Sequence, residues 1–151
     1  MEPLDGAQFA RLLLGAFDAM VDEVRTELEA AGHPGLTVAN EMAVQAIGDG
    51  VDNAAALARA VGVSRQAAAK TITHLEALGY VERRADSADG RRKRLTVTRQ
   101  GIDATAVGAA AFQTIYRRWQ ADVGADHAAS VVRALHRLAG KNRAGGSSDP
   151  G

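Results

Sequence analysis

Two short helical patterns meet at Gly62-Val63-Ser64, and no other feature of the chain restricts its fold so narrowly. Asn53 is a capping residue ahead of a helix from Ala54 to Ala60, in which Leu57 and Val61 point inward. Gly62 then supplies the permissive backbone that a tight stop needs. Ser64 at once caps a further helix that runs to about Leu78, burying Ala68, Ile72 and Leu75 and leaving Arg65, Gln66, Ala69, Lys70 and Thr73 on the other side. Two short helices joined in this way have the spacing of a helix-turn-helix.

The flanking sequence gives that unit its setting. Asp5 followed by Gln8 is a capping box, and Phe9, Leu12, Leu13, Phe17, Met20, Val24 and Leu28 recur at steps of three and four, predicting a long first helix that ends near Gly32-His33-Pro34-Gly35. A shorter helix over Thr37 to Ile47 carries Val38, Met42 and Ile47 and closes at Gly48-Asp49-Gly50. Beyond the helix-turn-helix, Tyr80 to Arg84 and Lys93 to Thr98 read as strands, Leu95 and Val97 sharing one face, with a polar, turn-prone tip from Ala85 to Arg92. A fifth helix opens at Thr98 or Gln100-Gly101 and passes through Ile102, Val107, Phe112, Ile115 and Trp119. Gly124-Ala125-Asp126 separates it from a sixth that carries Val131, Leu135 and Leu138, and residues 141–151 read as a loose tail. The fold class expected is mainly α with a small β-hairpin, one domain over residues 1–140.

The net charge is zero, but its distribution is uneven. Residues 1–58 hold two basic and ten acidic side chains, residues 59–99 ten basic and four acidic, and residues 100–151 six basic and four acidic. A basic middle points to an anionic partner, of which a phosphodiester backbone is the commonest. The absence of cysteine removes disulfides, cysteine-ligated zinc and thiol-based sensing. No run approaches the ~20 apolar residues of a membrane span, and Met1-Glu2-Pro3-Leu4-Asp5 lacks the layout of a signal peptide, so a cytoplasmic location without membrane partners is expected. His33, His74, His127 and His136 lie in different segments without triad or metal spacing, which argues against an enzyme and against a cofactor or metal site.

Leu57-Ala58, Val61-Gly62-Val63-Ser64, the run from Leu75 to Arg83, Asp86-Ser87-Ala88-Asp89-Gly90-Arg91 and, after five residues, Val97-Thr98-Arg99-Gln100-Gly101 together resemble the MarR family of winged-helix regulators in residue type and spacing. Gly90 stands where many relatives carry arginine, and Ala67, Ala68 and Ala69 stand where bulkier or hydroxylated side chains are common. The resemblance implies a winged helix-turn-helix DNA-binding lobe over about residues 37–100 and a dimerisation lobe made by residues 5–32 and 101–140. It implies a transcriptional regulator, commonly a repressor, acting as a homodimer on a pseudo-palindromic operator in double-stranded DNA.

On that resemblance Arg65 and Gln66 would read base edges, arginine toward guanine and glutamine toward adenine. Ser64, Lys70 and Thr73 would contact phosphates, and Ala69 shares their face. Arg91 would enter the minor groove, oriented by Asp89, with Arg92, Lys93 and Arg94 adding phosphate contacts. Phe9, Leu12, Leu13, Val131, Leu135 and Leu138 are the candidate dimer interface, each equally able to belong to the core. A small aromatic or phenolic ligand would sit among Phe17, Met20, Met42, Phe112 and Tyr116. Two other readings use the same residues: a nucleic-acid binder without sequence preference, and a winged-helix protein-interaction module.

Overall fold

The computed structural model describes residues 2–85, 88, 90 and 93–144, the last four as backbone only. Six helices and one hairpin follow in the order α1 (Gly6–Ala30), α2 (Val38–Gly48), α3 (Ala54–Val61), α4 (Arg65–Leu78), β1 (Val81–Ala85), β2 (Lys93–Val97), α5 (Arg99–Val123) and α6 (Ala125–Ala144). The chain divides into two compact units, Met1–Phe112 and Gln113–Gly151, with the boundary inside α5.

In the first unit each helix starts on the residue whose side chain satisfies an orphan backbone donor. Asp5 forms the capping box with Gln8, and Thr37, Asn53 and Ser64 accept from Asn40, Ala56 and Ala67 backbone N–H groups. Gly62 ends α3 at φ 74°, so the turn into α4 uses left-handed backbone that a side chain would strain. Gly79 does the same at the end of α4, at φ 83°, and the Tyr80 N–H reaches back to the Leu75 carbonyl. That bond makes Tyr80 the last part of the helix cap rather than the first strand residue, and β1 opens at Val81.

The core of this unit is drawn from every element: Val24 and Leu28 of α1, Val44 and Ile47 of α2, Leu57 of α3, Ala68, Ile72 and Leu75 of α4, Val81 and Leu95 of the hairpin, and Ala104 of α5. Burying a Val, Leu or Ile side chain contributes about 1.5–3 kcal/mol, so these residues dominate the unit's stability. The hairpin is antiparallel, pairing Val81 with Val97, Arg83 with Leu95 and Arg84 with Arg94.

Two expectations change. Met42 is 46% exposed, and the inward face of α2 is Val38, Glu41, Val44 and Ile47, with Ala43 beside it. The pattern was hidden because a carboxylate occupies one of the inward positions. At the other end, α6 remains helical to Ala144, past the predicted start of the tail at residue 141.

The second unit contains the end of α5 and all of α6. Ile115 and Ala128 are buried in it, and the Tyr116 and Trp119 rings lie with centroids 6.0 Å apart.

Candidate nucleic-acid interface

The outer face of α4 follows from its inner one. Ala68, Ile72 and Leu75 are buried, so at about 100° per residue the opposite side is centred on Gln66, Lys70, Thr73 and Ala77, with Ala69 and His74 at its edges. These six side chains line one shallow depression of about 440 Å³. Arg65 is exposed at the first turn but stands two turns before Ile72, on the row that leads into the core. Arg65 and Lys70 have no ion-pair partner among the described residues, which leaves both cations available to an external anion.

The two hydroxyls expected at phosphates differ in what they can offer. Ser64 Oγ accepts from the Ala67 N–H at 3.1 Å, which leaves its own proton free to donate. Thr73 Oγ1 donates to the Ala69 carbonyl at 3.1 Å, and so has no proton left for a phosphate oxygen, which only accepts.

Beside α4 the hairpin places Arg84 directly opposite Arg94, with both side chains on the same face. Two like charges in that register repel, and each has acquired a carboxylate: Arg84 Nε lies 2.7 Å from Glu82 and Arg94 Nε 3.9 Å from Asp52. Both arginines remain more than half exposed, so these pairs are weak and exchangeable for phosphate. Arg84 was not among the sequence candidates. Its place became visible only once the strand register paired it with Arg94. Arg83 faces the other way and holds Glu76 of α4 at 3.1 Å, tying the hairpin to the helix. Asp89, Arg91 and Arg92 lie outside the described residues.

Behind this face, polar contacts brace the joint between α4 and the hairpin. His33, 4% exposed, donates from Nε2 to Asp103 Oδ2 at 2.7 Å, because a carboxylate only accepts. In the neutral ring that carries its proton on Nε2, Nδ1 accepts from the Tyr80 hydroxyl at 3.1 Å. The arrangement has the order of a catalytic relay, but Tyr80 is 3% exposed and presents no hydroxyl to a substrate. It is a brace that connects the end of α1, the end of α4 and the start of α5. Thr98 reinforces it: its N–H donates to the Tyr80 carbonyl, its hydroxyl donates to the Gly79 carbonyl at 2.6 Å, and it accepts from the Gly101 N–H.

Glu41 is the other buried polar residue, 2% exposed, with its carboxyl against Gly108 of α5. Burial pushes its carboxyl pKa up from the usual 4.5, and this outweighs the favourable position in the first turn of α2. Among the described residues no group of three or more His, Cys, Asp or Glu side chains is arranged to hold a metal ion. No described helix is long and apolar enough to cross a membrane.

The other sequence candidates divide between the two units. Phe9, Leu12 and Phe17 are exposed on α1, where Leu13 and Met20 are half-buried. Val131, Leu135 and Leu138 are 40–52% exposed on α6. Phe112 is half-buried, and Tyr116 stands beside Trp119. Met42 lines an apolar groove of about 140 Å³ between α2, α3 and α4, floored by Leu57 and Ala68.

Residues 35–92, which hold α2, the helix-turn-helix and the first strand of the hairpin, match the MarR family. The chain is similar in fold to the transcriptional regulator Tm0710 of Thermotoga maritima, with 24% identity, 93% of this chain and 98% of that one covered, and a TM-score of 0.61. It is similar to the Mycobacterium tuberculosis MarR family protein RV2887 in complex with salicylic acid, at 25% identity over 91% and 97% of the two chains and a TM-score of 0.63. It is also similar to Streptococcus pneumoniae FabT in complex with DNA, at 16% identity over 92% and 98% and a TM-score of 0.77. No curated protein matches the sequence. The fold is the winged helix of MarR-family transcriptional regulators: mainly helical, with a two-stranded wing.

Proposed function

We propose that this chain is a sequence-specific regulator of transcription that binds a pseudo-palindromic operator as a homodimer and represses until a small aromatic compound binds. The observation that carries the reading is the outer face of α4, where Gln66 and Lys70 stand free of the core beside a hairpin bearing Arg84 and Arg94 on one face. Lysine and arginine supply affinity through phosphates, while the glutamine amide can form paired hydrogen bonds with adenine. Arg65, at the start of α4, is the candidate guanine reader. The FabT complex with DNA supports the same use of the fold.

Dimerisation is supported by apolar side chains that each unit leaves exposed: Phe9, Leu12 and Leu14 on α1, and Val131, Leu135 and Leu138 on α6. Such surface on consecutive turns is unfavourable in water and is covered by a second copy in this reading. Two-fold symmetry then sets two copies of α4 about one duplex turn apart, with half-sites roughly 10 bp apart. Ligand response is supported by the RV2887 complex with salicylic acid, with Phe17, Met20, Met42 and Phe112 of the first unit as candidate contacts.

The test is binding of the purified protein to the intergenic DNA next to its own gene and to scrambled DNA of equal length, at about 150 mM salt, where purely electrostatic affinity is weak. Selective binding by a species of dimeric mass is expected. Equal binding to both duplexes would leave a nucleic-acid binder without sequence preference.

A further inference from the structure

We infer that the centre of the α4 face reads thymine through its 5-methyl group, with Thr73 as the residue that determines this specificity. The inference rests on the proposed function, since it concerns how the same face tells one duplex from another.

A threonine on a recognition helix has two groups to present, a hydroxyl and a methyl. Thr73 spends its hydroxyl proton on the Ala69 carbonyl, one turn back in its own helix, at 3.1 Å. It therefore cannot donate to the acceptors on the major-groove edges of guanine, adenine or thymine. What remains is an oxygen that can only accept, and carbon: the Thr73 γ-methyl, with the Ala69 and Ala77 methyls in the same shallow depression. The polar side chains of that depression, Gln66, Lys70 and His74, stand around this carbon surface.

In the major groove only thymine offers an apolar group, its C5 methyl. An apolar surface at the middle of the face gains nothing from guanine or adenine acceptors, and a cytosine there offers it no methyl to pack against. Gln66, two turns before Thr73, is suited to adenine, so both features favour A·T pairs in the part of each half-site under the middle of α4.

The experiment removes only the methyl. Operators are first selected from random duplexes with the full-length protein, and each thymine of the selected half-site is then replaced singly by deoxyuridine. At one or two thymines, placed symmetrically in the two half-sites, affinity should fall about three- to five-fold, the value of one buried methyl group. Thr73→Ser keeps the hydroxyl and its bond to Ala69 but deletes the γ-methyl, and being exposed it leaves folding intact. In this variant the deoxyuridine effect should disappear at one thymine and persist elsewhere. If operators are selected but every deoxyuridine is silent, or the penalties are the same in wild type and Thr73→Ser, the inference is overturned while sequence-specific binding stands. If no sequence is enriched, the proposed function has failed and the inference falls with it.

Discussion

Replacing Gly101 with alanine tests the packing at the joint between α4, the hairpin and α5. Gly101 is in the first turn of α5, buried against the Tyr80 peptide. A Cβ there would press into the Tyr80 carbonyl oxygen and come within 2.5 Å of Val97 Cγ1. Neither group yields easily. The carbonyl already accepts from the Thr98 N–H at 3.1 Å, and Val97 is locked in the strand pair with Val81. Overpacking of this kind costs about 1–3 kcal/mol, and loosening the Thr98 bond a further ~1 kcal/mol. Against these stands the helix propensity of alanine over glycine, worth about 1 kcal/mol. The net expectation is a loss of about 1–3 kcal/mol, or a fall in Tm of roughly 2–4 °C per kcal/mol for a chain of this size. Urea titration followed by circular dichroism measures it, with both proteins at the same concentration so that any contribution from self-association is held constant. Gly15, within α1, has open space where a Cβ would stand, with nothing within 4 Å, so Gly15→Ala should stabilise by up to about 1 kcal/mol through propensity alone. If Gly101→Ala raises the urea midpoint as Gly15→Ala does, the close approach to Tyr80 is not a constraint and the reasoning is refuted.

Four further outcomes are expected. Glu41 keeps its proton in the folded chain to higher pH than in the unfolded one, so its contribution is fully present below about pH 4.5 and is lost as pH rises through the raised folded value; Glu41→Gln should therefore gain in stability over wild type from pH 4.5 to pH 7.5, and a pH-independent difference in Tm would contradict this. Tyr80→Phe leaves His33 Nδ1 buried without its donor and should cost about 1–3 kcal/mol in the same urea assay, an unchanged midpoint counting against the brace. Alanine at both Arg84 and Arg94 removes four cations from a dimeric complex, so it should weaken binding to all sequences alike and reduce the salt slope of log Kd by up to about 4, whereas an unchanged slope would remove the hairpin face from the interface. Gln66→Ala should cost about 1–3 kcal/mol on the selected operator and relax the choice at a single base pair, which competition among operators with single-pair changes will show.

The local layers of this structure were legible in the sequence because they depend on neighbours in the chain. Asp5 with Gln8, Asn53, Ser64 and Gly62 cap or stop their helices within three or four residues, and all act as expected from residue type alone. The buried row of α4, Ala68, Ile72 and Leu75, followed from helical periodicity, and the likeness of residues 35–92 to the MarR family followed from ordered motifs around the turn and hairpin. What depended on distant partners was not legible. Met42 was placed on the inward pattern of α2, and Glu41 takes that place instead because Gly108, 67 positions after Glu41, leaves room for a carboxyl against α5. His33 lay in a predicted turn, and only folding brings Tyr80 and Asp103 to its two nitrogens. The partnership of Arg84 with Arg94 needed a strand register, and the fate of the Thr73 hydroxyl needed a rotamer. Capping and periodicity are short-range and are written in residue order, whereas burial of a charge and the direction of a single proton are set by whichever groups the tertiary fold places alongside.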